Sequence, residues 1–344
     1  MTVSLQDLLA IPEARRRPLL EIASRIRSAR NVILTTHVNA DGDGAGSEVA
    51  LAAWLEQLGA RVRILNPTPF PPGMGFLLFR EGLILELDEP GIEDIIRDAD
   101  VILVVDTSEP RRIEPLDRIL PRERMLVIDH HLPGPDALGE GVRDASAAAT
   151  GEIVYDLLTL AGDEFPQASV LGIYVAIVTD TGSFRFSNTG PRAHLIAADL
   201  LARGVDPEAI FQQLFAVNPP RRVQLLREAL DRLEHEPELG IAWMVIPLEV
   251  TDRLQTLPED YEGLIEHARS IEGTRIALLF RETAPNETKI SFRSTGPTDV
   301  NRLARMFGGG GHAKASGATV SLAPNQAVER VLARVRETLR AEDE

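Results

Sequence analysis

Val32-Ile33-Leu34-Thr35-Thr36-His37-Val38-Asn39-Ala40-Asp41-Gly42-Asp43-Gly44 opens as an apolar run and ends in a loop that crowds three potential metal ligands together. Val32 to Thr35 predicts a strand, and the apolar spacing of Ala45 to Leu58 predicts the helix after it. Strand, loop and helix in that order place His37, Asp41 and Asp43 at the carboxyl edge of an open α/β sheet, the edge at which such sheets bind ligands. The glycines permit a tight turn that offers free N–H groups at a helix N-terminus to an anion. For an isolated Asp-x-Asp the plain alternative is a polar capping loop. A calcium loop fails twice, because a strand precedes the motif where an EF-hand has a helix, and because Ala50 stands where the bidentate glutamate belongs.

The same rhythm continues outward. Arg61 to Leu65, Val101 to Val105 and Met125 to Ile128 read as further strands, apolar enough to be covered on both faces of a parallel sheet. Helices are expected at Thr150 to Leu160 and Ala168 to Val178, then at Pro191 to Ala202 and Pro207 to Phe215, the last two opened by proline. Strand-like runs at Ile241 to Ile246, Arg275 to Phe280 and Lys289 to Phe292 follow, with helices at Val300 to Met306 and Asn325 to Arg340. The expected fold is α/β, a doubly wound and mainly parallel sheet plus a smaller α/β domain. The expected division is a catalytic domain over 1–190, a helical connector over 191–218 ending near Asn218-Pro219-Pro220, and a second domain over 219–344.

Composition narrows the function. The 344 residues carry a net charge of −16, which repels a long polyphosphate backbone and lacks the basic stripe of a non-specific nucleic-acid binder. A phosphate ligand should therefore be small and locally neutralised. With no cysteine, any metal site must use imidazole and carboxylate, which favours a manganese- or magnesium-like ion over structural zinc. Met1 to Asp7 has no basic segment leading a long apolar core, and no later window supplies about 18 uncharged apolar residues. A cytoplasmic protein without a membrane partner is the expectation.

Three more acidic positions follow apolar elements. Asp106 directly succeeds Val101 to Val105, Asp129-His130-His131 succeeds another strand-like run, and Asp180 ends a hydrophobic helix that has no use for a carboxylate in apolar surroundings. Taken singly, His130 could cap a turn and Asp180 could be an ordinary turn residue. Together these positions and the first loop bring carboxylates and imidazoles to one domain, and carboxylates packed so closely repel unless cations neutralise them. Two divalent ions are the natural count.

His37-x-x-x-Asp41-x-Asp43, Asp106, Asp129-His130-His131 and Asp180, in this order, resemble the motifs of the DHH phosphoesterase superfamily. Gly308-Gly309-Gly310-Gly311-His312 with Ala315-Ser316-Gly317 resembles the DHHA1 signature. The two-domain plan is similar to the bacterial nanoRNase/pAp phosphatases, which degrade very short oligoribonucleotides and dephosphorylate adenosine 3′,5′-bisphosphate. The resemblance implies a metal-dependent phosphoesterase with its active site in the cleft between a DHH and a DHHA1 domain. It implies that His37, Asp41 and Asp106 hold one ion, that Asp43, Asp106, His130 and Asp180 hold the other, and that Asp106 bridges. The ions would be Mn2+ first, with Mg2+ or Co2+ admitted, and would generate a hydroxide at neutral pH. Asp129 would orient His130, and His131 would face the substrate phosphate.

In the second domain the glycine run could form an anion-binding nest, with His312 and Lys314 beside it. The resemblance adds Arg293 and Ser294 to Gly309, Gly310, Gly311 and His312 as substrate-binding residues; a solvated strand end is the alternative for Arg293. Rival readings are a cyclic di-AMP or linear dinucleotide (pApA) phosphodiesterase, a family II inorganic pyrophosphatase, which the glycine–histidine signature disfavours, and a catalytically silent nucleotide sensor. A single-strand exonuclease would need an additional binding domain. The partners expected are short oligoribonucleotides or small nucleotide phosphates and no long nucleic acid, with a homodimer admitted.

Overall fold

The computed structural model describes residues 5–216 and 218–343, which divide into two compact units at Val217 and Asn218. The first unit runs α1 (Leu5–Leu9), α2 (Glu13–Arg27), β1 (Asn31–Thr35), α3 (Gly42–Gln57), β2 (Arg61–Leu65), β3 (Ile84–Leu85), α4 (Ile92–Asp98) and β4 (Val101–Val105). It continues with β5 (Met125–Asp129), β6 (Glu140–Arg143), α5 (Thr150–Ala161), α6 (Gln167–Asp180), α7 (Pro191–Ala202) and α8 (Pro207–Phe211). The described strands form one sheet in the order β3-β2-β1-β4-β5-β6, with every pair parallel. The order reverses between β1 and β4, which is the switch point where a doubly wound sheet opens a crevice outside its carboxyl ends.

Period-two packing explains why the strands read as unbroken apolar runs. Val32 and Leu34 of β1, Leu103 and Val105 of β4, and Leu126 and Ile128 of β5 enter one core; Ile33, Ile102, Val104, Met125 and Val127 enter the other. β6 escapes this pattern because Val142 is its one fully buried residue. Pro191–Ala202, expected in the connector, belongs to the first unit, where Ala193, Ile196, Ala197 and Leu200 are buried. The helix expected to reach Phe215 turns π-helical over Gln212–Ala216.

Two helix contacts set up the sheet edge. α3 and α6 pack antiparallel with their backbones touching: a Cβ added to Gly46 would lie 2.4 Å from the Gly172 carbonyl oxygen, and one added to Gly172 would lie 2.4 Å from that of Gly46. Ser169 donates its hydroxyl to the Ala50 carbonyl at 2.6 Å along the same seam. Gly151 of α5 likewise has no room for a Cβ against Ala176 of α6. α2 contributes a fully buried Arg15, which pairs with Asp144 at 2.9 Å, Glu152 at 3.0 Å and Asp156 at 2.6 Å. Glu152 in turn accepts the Ala148 N–H at 3.1 Å, which fixes the loop leading into α5.

The second unit runs α9 (Pro220–Leu230), β7 (Glu234–Glu236), β8 (Ile241–Ile246), α10 (Leu248–Leu254), α11 (Leu264–Arg269), β9 (Ile276–Ala284) and β10 (Glu287–Ser294). It ends with α12 (Val300–Met306), β11 (Gly310–His312), β12 (Ala315–Val320) and α13 (Pro324–Asp343). Its sheet is mixed, in the order β11-β12-β10-β9-β8-β7, with only β8 and β9 parallel among the described strands. Ile276, Leu278 and Phe280 face α12 and α13, while Ala277 and Leu279 face α9, α10 and α11. No helix among the described residues is long and apolar enough to cross a membrane.

The Gly46–Gly172 contact leaves no slack, so Gly46→Ala must push the two helix backbones apart. Overpacking of this kind costs about 1–3 kcal/mol. Urea unfolding should show a lower midpoint at an unchanged slope, and a variant with the original midpoint would refute the contact.

Candidate metal centre

Backbone ties at the switch point determine where the ligands emerge. Thr36, just past β1, donates its N–H to Asn66 Oδ1 at 3.1 Å and its hydroxyl to the Val105 carbonyl at 2.9 Å, locking the ends of β1 and β4 together. Asn66 is held by Glu48, buried in α3, at 3.0 Å. Asp41 caps α3: its Oδ1 accepts the N–H groups of Asp43 and Gly44 at 3.0 and 3.1 Å, which leaves Oδ2 for another partner. Asp106 takes a left-handed backbone conformation, φ 58°, as the chain leaves β4. Such an outlier costs about 1–3 kcal/mol and is found where the surroundings impose it.

The side chains then converge. His37 Nδ1 lies 2.9 Å from the Val38 carbonyl, so that nitrogen carries the donated proton and Nε2 faces the carboxylates. Nε2 is 3.2 Å from Asp106 Oδ2 and 3.7 Å from Asp41 Oδ2. His130 Nε2 lies 3.6 Å from Asp43 Oδ2, 3.5 Å from Asp106 Oδ1 and 3.7 Å from Asp180 Oδ2. Both Nε2 atoms are buried and make no hydrogen bond. Nitrogen and oxygen atoms held about 3–4 Å apart suit a cation at about 2.0–2.2 Å from each. His37, Asp41 and Asp106 could hold one ion, and Asp43, His130 and Asp180 another.

The electrostatics ask for positive charge. Burial first, then Asp106, Asp180 and Asp41, push the Asp43 carboxyl well above its usual range, although the N–H groups of Thr150 (2.6 Å) and Gly151 (2.9 Å) at the start of α5 point at it. Burial, and then Asp106 and Asp41, carry Asp180 to about 6 against the opposing pull of His130. Burial would lower the His37 imidazole, but Asp106 and Asp41 outweigh it and raise it to about 10. Burial would raise Asp41, but His37 brings it down to about 2. Burial, with a smaller push from Asp106, carries Glu48 up to about 8 against its hydrogen bond from Asn66 and the pull of His37.

Several expectations are corrected. Asp129 does not orient His130: its Oδ1 accepts the backbone N–H of His131 at 3.0 Å and lies 2.9 Å from that ring's Nδ1. His130 instead has its Nδ1 3.4 Å from the Ala147 carbonyl. The hydrogen bond that the His131 ring donates to Asp129 raises this half-exposed imidazole against burial. Lys314 points its ammonium at the Gly296 and Thr298 carbonyls, so it braces a loop of its own unit. The Ser294 hydroxyl is buried and donates to the Thr298 carbonyl at 2.8 Å. The glycine run forms no nest: Gly308, φ 75°, closes α12, and Gly310–His312 is an edge strand paired with β12. Gly309 and Gly311 lie too close to β12 for any Cβ. Arg293 keeps a half-buried guanidinium whose Nε is 3.6 Å from Glu266 Oε1. The His312 side chain lies outside the described part of the structure.

The sequence reading missed Thr150, Gly151, Asn66, Glu48, Asn188 and Arg112. Thr150 Oγ1 donates to Asp106 Oδ1 at 3.0 Å, and Asn188 Nδ2 donates to Asp180 Oδ2 at 3.2 Å. Arg112 is near enough to oppose the charge on His131, and it makes no ion pair among the described residues. Asn66 carried a legible signal, since it follows β2 as Asp106 follows β4.

Family models match residues 31–177 to the DHH family N-terminal domain and residues 250–341 to the DHHA1 domain. The chain is 32% identical over 333 residues to the bifunctional oligoribonuclease and PAP phosphatase NrnA of Thermus thermophilus, covering 95% of this chain and 97% of that one. It is similar to a crystal structure of an exopolyphosphatase-related protein from Bacteroides fragilis, with a TM-score of 0.86 and 26% identity over 94% of this chain and 97% of that one. It shares its fold with RecJ of Thermus thermophilus in complex with Mn2+, at a TM-score of 0.55 and 15% identity over 99% of this chain and 56% of that one.

Manganese uptake should weaken as pH falls. His37 holds its second proton below about 10, so an entering ion must displace it, and below about 6 Asp180 takes up a competing proton as well. Calorimetric titration should show the apparent Kd rising about tenfold per pH unit lowered, with roughly one proton released for each ion entering at His37. An affinity independent of pH would place the ion elsewhere.

Proposed function

Because this chain belongs to the DHH family and carries a DHHA1 domain, we propose that it is a divalent-metal phosphoesterase that hydrolyses short oligoribonucleotides and adenosine 3′,5′-bisphosphate, as the name of its Thermus relative describes. The observation that carries the reading is the division of Asp106, which turns Oδ2 toward His37 and Oδ1 toward His130. One carboxylate between two imidazoles is what a bridge between two ions requires. His37, Asp41 and Asp106 hold the first, and Asp43, Asp106, His130 and Asp180 the second, with Mn2+ ahead of Mg2+ and Co2+ for this sulfur-free donor set. When bound, such a pair activates water and neutralises charge developing on the phosphate.

The remaining work falls to protein groups. Thr150 and the N-terminus of α5 keep Asp43 and Asp106 from turning away, and Asn188 does the same for Asp180. His131, anchored by Asp129 through one ring nitrogen, offers the other to a phosphate oxygen. In the second unit, Arg293 and His312 share a row across the sheet through Ala315, and they bind a phosphate other than the scissile one. The net charge of −16 limits the substrate to two to about five nucleotides, since longer chains add repulsion faster than contacts.

With manganese, kcat/KM is expected to be far higher for pApA and adenosine 3′,5′-bisphosphate than for pyrophosphate, cyclic di-AMP or an RNA about 20 nucleotides long, and chelator should abolish turnover. Full activity in chelator, or equal rates on the long RNA, would refute the reading. Asp106→Ala removes a ligand from both positions and should lose orders of magnitude in kcat with the fold retained by circular dichroism. Arg293→Ala should weaken kcat/KM for pApA by about ten- to a hundredfold while bound manganese stays constant. Loss of manganese in that variant would mean that Arg293 supports the metal centre instead.

A further inference from the structure

Immediately after Asp180 the backbone does something unusual. Gly182, Ser183 and Phe184 are consecutive left-handed residues, with φ of 54°, 59° and 62°. Thr181 holds this turn to the end of α6: its carbonyl accepts the N–H groups of Arg185 at 2.9 Å and Phe186 at 3.0 Å, and its hydroxyl accepts that of Phe184 at 3.0 Å. The Ser183 N–H reaches the Val178 carbonyl at 2.7 Å. From the far side, Asn188 donates to both the carbonyl and Oδ2 of Asp180, at 3.1 and 3.2 Å. The segment 181–188 thus starts beside Asp180 and is tied back to that residue by Asn188.

The two phenylalanines of the turn have opposite fates. Phe184 packs against the core and stacks on His194, with ring centroids 4.9 Å apart. Phe186 remains 55% exposed. The tip of its ring lies over Gly182: a Cβ added there would fall 2.4 Å from its Cζ and 2.6–2.7 Å from its two Cε atoms. A ring held at its tip with more than half of its residue surface exposed keeps area free for another ring. That is the surface on which a nucleobase stacks, whatever its identity, because every base has a π-face.

We propose that Phe186 is a stacking platform for a nucleobase next to the phosphate held at the Asp180 end of the metal cluster. The proposal rests on the nucleotide reading of the function and adds a way to grip the base without reading its sequence. It also explains the rigid turn, since a platform on a mobile loop would lose in ordering what it gains in stacking.

The test is a double-mutant cycle between ring and base. The kcat/KM of the unaltered protein and of Phe186→Ala is measured, with saturating manganese, for pApA and for the two versions of pApA in which one or the other base is replaced by an abasic ribose. Phe186→Ala should lose about ten- to a hundredfold on pApA with bound manganese unchanged, and one abasic substrate should cost the unaltered protein a similar factor. Combining the two should cost little more than either alone, and Phe186→Trp should restore activity on pApA. Unchanged turnover of pApA by Phe186→Ala, or losses that multiply for both abasic substrates, would overturn the stacking role and leave the phosphoesterase reading intact. If the unaltered protein turns over no nucleotide at all, both readings fall.

Discussion

Two helix backbones in direct contact at Gly46 and Gly172 position nearly everything that matters at the sheet edge. Helices carrying ordinary side chains pack with axes about 8–10 Å apart. Glycine at the crossing brings α3 and α6 closer, and because they run antiparallel the start of one lies beside the end of the other. Asp43 and Asp180, far apart in sequence, therefore both reach His130. Gly151 repeats the device between α5 and α6, so that the first N–H groups of α5 meet Asp43 from the opposite side. Small residues here are the reason the carboxylates can meet at all.

Meeting is unfavourable for them. Asp43 is buried beside Asp106 and Asp180, and helix-start N–H groups and a threonine hydroxyl offset only part of the repulsion. A cation held by these groups would offset the rest. The left-handed Asp106 belongs to the same logic: from that backbone turn one carboxylate faces both histidines.

How much of this was legible follows from which forces act locally. The parallel sheet could be read because strands covered on both faces leave uninterrupted apolar runs, and the ligand loops because each directly follows such a run. α7 read correctly as a helix and wrongly as a connector, since docking is a property of the neighbours that bury Ile196 and Leu200. Ring orientation was out of reach: whether Asp129 serves His130 or His131 depends on where the Ala147 carbonyl lies, 17 residues away. The glycine run illustrates the same limit. Glycine allows a nest and an edge strand equally, and pairing with β12 decides between them. Lys314 looked like an anion ligand for want of any sign in the chain that Gly296 and Thr298 would claim it.

Arg15 gives the molecule a history as well as a shape. Its carboxylate partners Asp144, Glu152 and Asp156 follow it by 129 to 141 residues. At a synthesis rate of about 5–20 residues per second, Arg15 is made roughly 7–28 seconds before the last of them exists. Until then α2 can dock only by leaving a bare cation against an apolar sheet, which burial forbids. The helix made early must therefore join late, together with α5, and the loop that presents Ala147, Ala148 and Thr150 takes its final form in the same event. The nascent chain brings these carboxylates and imidazoles together only after the sheet beneath them is complete.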